Sequence, residues 1–272
     1  MLIALIEVLL DELGPKTVAM LLSGIVIGLL MANAGGYFML PADSTWSQLL
    51  DVNQEENFAT AFSVLLLLAC ALLLWQISRL RRMDRFVSYW RSLSLLFVGM
   101  AADEWWLLHE RLNEFLDARF STTGLFYYDW VIPGSLFVLM TWRIYARFLR
   151  RLSPPTRRRI WLAGRLYVAG ALGMEMISGY YIDRYGLDNR AILALLNGME
   201  ESAEMFGLVA FIYALLMHIK WLRHTAYREE VYAEQPDSER QQSAQSKQQA
   251  TGAKQQATGA KQQATGAKHR VK

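Results

Sequence analysis

The sequence predicts an all-α fold: a polytopic membrane helical bundle of about six transmembrane helices, with a short N-terminal interfacial helix before it and a disordered C-terminal tail after it. Three observations predict it. Of the 272 residues, 53% are hydrophobic, and they crowd into the first four-fifths of the chain, which gives a positive mean hydropathy. About six apolar stretches reach the roughly 20-residue length that a bilayer demands. The arginine-rich connections between them fall on one side of the resulting bundle. The net charge of +3 is small because the charges are segregated, and their position relative to each span carries the information.

The N-terminal segment, 1–14, reads MLIALIEVLLDELG. It has no basic start and no small-residue cleavage site, so it does not read as a secretory signal. Its apolar run is also too short to span. With Glu7 and Asp11 four residues apart among apolar neighbours, an amphipathic interfacial helix is expected.

The transmembrane domain, 15–222, divides into spans at about 17–39, 58–79, 86–110, 126–148, 160–182 and 191–219. In lipid each is helical, because no water is available to satisfy an open backbone. Between spans 2 and 3 stands RLRRMDR, and between spans 4 and 5 stands RFLRRLSPPTRRR, whereas PADSTWSQLLDVNQEEN, between spans 1 and 2, has no Lys or Arg. The positive-inside rule places both termini in the cytoplasm. Tryptophans give the same frame: Trp75, Trp90, Trp142, Trp161 and Trp221 fall near the cytoplasmic ends, and Trp105, Trp106 and Trp130 near the outer ends, as interfacial belts. The single cysteine, Cys70 in LLLLACALLLW, excludes an intrachain disulfide and reads as a small apolar residue. From 223 to 272 the chain is polar, with KQQATGA repeated from Lys247, Lys254 and Lys261. The seven-residue period has no large apolar residue for a coiled-coil seam and a glycine in every unit, so disorder is expected.

Acids stand where lipid-facing aliphatics belong. Span 6 contains NGMEESAEMFG, whose Asn197, Glu200, Glu201 and Glu204 share an arc of about 100°. An acid at the helix centre costs about 3 kcal/mol on the insertion scale and a strong apolar residue returns about 0.5. That face therefore needs a partner. Glu175 in span 5 and Asp103 and Glu104 in span 3 each lie roughly 10 Å below an outer boundary at 1.5 Å per residue, a depth shared with Glu200 and Glu201. His109 comes about one turn beyond Asp103 and Glu104. Asp129 reads either as an acid at the outer mouth of span 4 or as an N-cap. Glu110, Arg111, Glu114 and Asp117 read as the start of a solvated outer loop, while Arg91, Arg143 and Arg165 lie close enough to the inner face to snorkel. His218 and His224 adjoin the cytoplasmic end of span 6 and need no function.

A carboxylate cluster in low dielectric needs protons or cations to neutralise it. If metal ions do so, oxygen ligands with one imidazole suit Mn, Fe or Mg better than Zn, and Glu104, His109, Glu175, Glu200 and Glu204 are the candidate ligands. Asp103 and Glu201 are the candidate general acid and base. On a straight helix Glu104 and His109 differ by about 140° in direction and 7.5 Å in height, so span 3 offers at most one or two ligands to one ion unless it unwinds near Ala101 or Ala102.

The series AADEWWLLHERL, DWVIPGSLF, GALGMEM and NGMEESAEMFG resembles a family of uncharacterised bacterial and archaeal multi-pass membrane proteins with DExxxxHE in one helix, a glutamate after a glycine-rich turn in a later one, and EExxEM in the last. The resemblance covers about residues 95–215, and Asp103, Glu104, His109, Glu110, Glu175, Glu200, Glu201 and Glu204 match its pattern. It implies a plasma (inner) membrane location and a shared site, without naming a reaction. The acids support two function classes: a metal-dependent membrane enzyme acting on a lipid or other hydrophobic substrate, and a proton- or cation-coupled transporter or a subunit of a membrane complex. The expected partner is the lipid bilayer, with no nucleic acid.

Overall fold

The computed structural model describes residues 12–39, 57–81 and 83–234. The N-terminal segment around Glu7 and Asp11, the connection between spans 1 and 2, and the KQQATGA repeats lie outside the described residues. Every regular element among the described residues is helical. The chain divides into two units, Met1–Lys220 and Trp221–Lys272. In the second, the Thr225 hydroxyl donates to the Trp221 carbonyl at 2.9 Å within one helix.

Helix α1 (Gly14–Met39) buries Val18 and Val26 and leaves Met20, Leu21, Ile25, Ile27 and Met31 exposed, an apolar exterior suited to lipid. Helix α2 (Phe58–Leu80) opens on Asn57, whose side chain accepts from the Thr60 amide at 2.8 Å, satisfying one of the orphan amides of the first turn. Its buried face includes Leu66, Leu67, Cys70, Ala71, Leu74 and Ile77. It packs along α3 (Val87–Trp106), where the Ser94 hydroxyl donates to the Ala71 carbonyl at 2.8 Å; small residues at such a seam allow close backbones.

Helix α3 ends at Trp106, four residues short of the expected span boundary. Leu107 adopts φ 52°, ψ 45°, a left-handed conformation that turns the chain, and α4 (Leu108–Asp117) then starts in a new direction. A 3₁₀ turn, Gly124–Phe126, leads to α5 (Val131–Leu149). Span 4 therefore becomes helical later than the apolar run suggests. The preceding loop is held by Asp129, which is buried and accepts from the Thr122 amide at 3.2 Å and hydroxyl at 2.6 Å. Its side chain braces the loop and does not cap a helix.

Ser153 and two prolines start α6 (Pro154–Val168), earlier than the sequence expectation, because proline suits a first helical turn whose amides have no partner in any case. A π-helical segment, Ala169–Met174, joins α6 to α7 (Glu175–Tyr185), which stops at Gly186 with φ 73°. Helix α8 (Arg190–Glu234) supplies the deepest core residues, among them Met205, Leu208, Ala214, Leu215 and Ile219. Phe211 on α8 stacks on Phe97 of α3 at 4.9 Å.

Four stretches are long and apolar enough to cross a membrane: Gly14–Asn33, Phe58–Leu80, Pro154–Tyr185 and Arg190–Thr225. Trp90 does not join an interfacial belt. It is buried, edge-on to Phe148 at 4.8 Å and stacked on His218 at 5.3 Å, because an aromatic residue that meets other rings within the bundle gains more than one left at its rim.

Candidate functional site

Helices α5 and α6 are neighbours in sequence yet pack little against each other; α5 instead touches the π segment. That splay, with α3 and α8 on the other sides, leaves a cavity of about 1370 Å³, larger than the roughly 300–1,000 Å³ of small-molecule sites. Asp103, Glu104, His109, Glu175, Glu200, Glu201 and Glu204 all line it. The acids from three separated stretches of sequence thus share one space. Each is half-buried: they face the cavity and are not sealed within the packed core.

The break at Leu107 determines the local geometry. On a continuous helix, residues 103 and 109 are six positions and about 9 Å of rise apart. With the chain redirected at Leu107, His109 Nδ1 comes to 3.1 Å from Asp103 Oδ2. The unwinding falls at Leu107, not at Ala101 or Ala102, and it pairs His109 with Asp103. Glu104 stays within electrostatic reach of both.

The π segment acts similarly on Glu175. A π turn inserts an extra residue and rotates the rest of the helix relative to a regular α path, so Glu175 enters the site from the first position of α7. The Trp130 indole Nε1 donates to Glu175 Oε1 at 3.0 Å, and the Trp130 ring lies 5.1 Å from that of His109. Glu175 also lies close enough to Glu200 for the two carboxyl groups to interact. Deeper, Tyr167 lies beside Glu204, which is within electrostatic reach of Glu104, Glu201 and Glu175.

Close backbone approach makes this possible. A Cβ on Gly170 would stand 2.8 Å from Glu204 Cγ and 2.9 Å from the Glu200 carbonyl oxygen, and one on Gly207 would stand 2.7 Å from the Tyr167 backbone nitrogen. Only glycine fits between α8 and the α6–π stretch at these two points.

Beyond the acids the lining is apolar. Leu93, Phe97, Val138, Leu139, Trp142, Leu208 and Phe211 form its walls, down to Leu149 and Ile160 near the connection between α5 and α6. Between α3 and α5 near that end lie Tyr89 stacked on Phe148 at 5.2 Å and a 2.9 Å hydrogen bond between Ser92 and Tyr145. The cavity thus has an acid end and an apolar body.

Several site residues escaped the sequence reading. Trp130 and Trp161 fit an interfacial belt, yet both line the cavity, and Trp130 binds an acid. Tyr167 and Asn113 carried no signal. Glu110 and Glu114 are not part of a loop: they lie on α4 and line the cavity, while Leu108, Leu112 and Phe115 on the same helix are exposed. Ser178 is 2% exposed and lines the acid end, with a hydroxyl that has no hydrogen-bond partner among the described residues. Among the described residues, no three His, Cys, Asp or Glu side chains converge closely enough to hold one metal ion. The geometry supplies hydrogen-bonded pairs and not a ready ligand set.

Fold and site together define the class: an all-α protein with several helices long and apolar enough for a membrane, built around a cavity whose acids gather at one end. The chain belongs to the family described as a domain of unknown function, DUF8692, which it matches over residues 19–219. No curated protein and no solved structure matches it.

Proposed function

We propose that the chain crosses a bacterial or archaeal inner membrane six times, α3 and α5 joining the four long apolar stretches, with both termini cytoplasmic. Within it the carboxylate–histidine cluster works as the polar centre of a membrane enzyme whose amphiphilic substrate lies in the cavity. What carries this reading is the division of the cavity into an acid end and an apolar body, an arrangement matched to a molecule with a polar group on a hydrocarbon frame.

The pairs set the roles. Asp103 holds the His109 imidazole through Nδ1, leaving Nε2 to exchange a proton with the substrate. Glu175 and Glu200 stay in contact only with a proton or a cation between them. Glu201 lies within electrostatic reach of Glu104 and His109 and serves as the second acid–base group. In the metal-dependent form, Glu104, His109, Glu175, Glu200 and Glu204 would hold Mn, Fe or Mg, which would neutralise the acids and supply a Lewis acid. Elemental analysis of purified protein beside a Glu200→Gln, Glu204→Gln variant tests that form, which is abandoned if the wild type holds only trace metal.

The enzyme itself is tested by incubating purified protein with a lipid extract and monitoring every species by mass spectrometry. One amphiphile is expected to be consumed by the wild type and spared by His109→Ala and by Glu200→Gln. An extract unchanged by the wild type contradicts the reading. A second reading, proton- or cation-coupled transport, draws on the cavity's length, since its lining runs from Asn113 and Glu114 to Leu149 and Ile160. Ion flux into liposomes indistinguishable from empty vesicles excludes it.

A further inference from the structure

Helix α4 begins directly after α3, with only Leu107 between them, and none of its residues is buried. At 100° per residue, Leu108, Leu112 and Phe115 fall within an arc of about 60°, and all three are exposed. Glu110, Asn113, Glu114 and Asp117 fall within about 100° on the opposite side, and the first three line the cavity. The apolar face of α4 therefore points away from the cavity, and its large side chains stand open. Exposed apolar residues continue along the chain on both sides of it: Trp105 and Trp106 before, and Phe120, Leu125 and Phe126 after.

Two observations identify what covers this face. On the proposed topology α3 crosses the membrane, so α4 starts where that span leaves the hydrocarbon, at the level where Trp105 and Trp106 suit the headgroup region. The charges of the segment are also sorted as a lipid surface requires. Arg111 flanks the apolar arc, and Arg119 lays its guanidinium over the Phe115 ring, 3.7 Å from its centre, while donating to the Phe115 carbonyl at 2.7 Å. Cations at the border of an apolar face meet lipid phosphates while their stems stay among acyl chains. The acids of α4, which phosphates repel, are all on the far side.

We propose that α4 is an in-plane amphipathic helix docked on the outer leaflet, with Leu108, Leu112 and Phe115 among the acyl chains and Glu110, Asn113 and Glu114 at the rim of the cavity's acid end. The acid end then opens at the polar boundary of that leaflet, the level at which an amphiphile carries its polar group. This deepens the reading above and rests on its membrane crossing.

The test uses the full chain in nanodiscs of mixed zwitterionic and anionic phospholipid, spin-labelled at one introduced cysteine at a time. It reads collision of each label with oxygen, which concentrates in the bilayer, and with a water-soluble nickel chelate. Native Cys70 is buried and takes up little label. The variants are Leu108→Cys, Leu112→Cys and Phe115→Cys on the apolar face, Asp117→Cys opposite it, and Leu65→Cys on the exposed surface of α2 as the lipid reference. The oxygen-to-nickel ratio on the apolar face is expected to lie below that at Leu65 and several-fold above that at Asp117. A ratio on the apolar face as low as at Asp117 puts that face in water and overturns the inference. Labels at Leu112 and Phe115 that neither reagent reaches overturn it in favour of a protein cover, a second copy or another chain. A label at Leu65 open to the nickel chelate overturns the membrane crossing itself, and the inference with it.

Discussion

Leu107 holds a backbone conformation that costs a side-chain-bearing residue roughly 1 kcal/mol or more, and it does so where the chain must turn for His109 to reach Asp103. A β-branched residue meets a still higher barrier there and glycine none. The expected order of thermal stability in detergent therefore places Leu107→Gly above Leu107→Val by about 1 kcal/mol or more; the reverse order contradicts a left-handed Leu107. Trp130 offers a second test. Trp130→Phe keeps a ring beside His109 but removes the indole donor to Glu175, and a loss of about 1–3 kcal/mol is expected for a bond to an acid. Stability unchanged in denaturant titration shows that the bond is not formed. Neither residue was legible as part of the site. Leucine carries no turn signal, unlike Gly or Asn, and a tryptophan at a span end obeys the interfacial rule whether or not its nitrogen binds a carboxylate.

At the level of elements, the site is assembled by two departures from regular helix, the break between α3 and α4 and the π segment before α7. Sequence periodicity assumes 100° per residue throughout, so it could order the acids along each helix but could not give their directions. Depth depends on rise, which a break or π turn alters little; direction depends on every turn between. The glycines show what the irregular path requires. Gly170→Ala and Gly207→Ala place a methyl against backbone or a glutamate stem at 2.7–2.9 Å, and each is expected to cost about 1–3 kcal/mol by overpacking and to loosen the Tyr167–Glu204 contact. Gly164→Ala and Gly173→Ala meet nothing within 4 Å and are expected to cost little or to stabilise slightly. Thermal melts of the four variants check this, and equal losses in both pairs contradict the close approach. Helix α4 was missed as an element because its charges suggested a solvated loop. Its acids at 110 and 114 are four apart and its apolar residues at 108, 112 and 115 form the other face, a pattern that also describes a helix lying at an interface.

Across the whole molecule, the four helices long and apolar enough to cross a membrane were legible because a bilayer would impose a length and a composition that few other structures need. The cavity was not, since it depends on α5 and α6 splaying apart after a short connection, and no residue pattern records an absence of packing. The six-span arrangement predicts sidedness that thiol labelling reads directly. Cys70, the single native cysteine, is buried and gives little background. A membrane-impermeant maleimide added to intact cells is expected to label Asn189→Cys and to reach Ser153→Cys only after lysis; the opposite pattern inverts the topology. Whether acids and an apolar body share one ligand-binding cavity is tested by a photoreactive long-chain amphiphile added to the protein in nanodiscs, with labelled residues mapped by peptide mass spectrometry. Saturable labelling of Val138 and Leu208, which line the cavity, is expected, removed by an excess of the non-photoreactive amphiphile, against unsaturable labelling of the exposed Leu65, Leu136 and Ile144. Labelling confined to those outward residues, with Val138 and Leu208 unmodified, would contradict it.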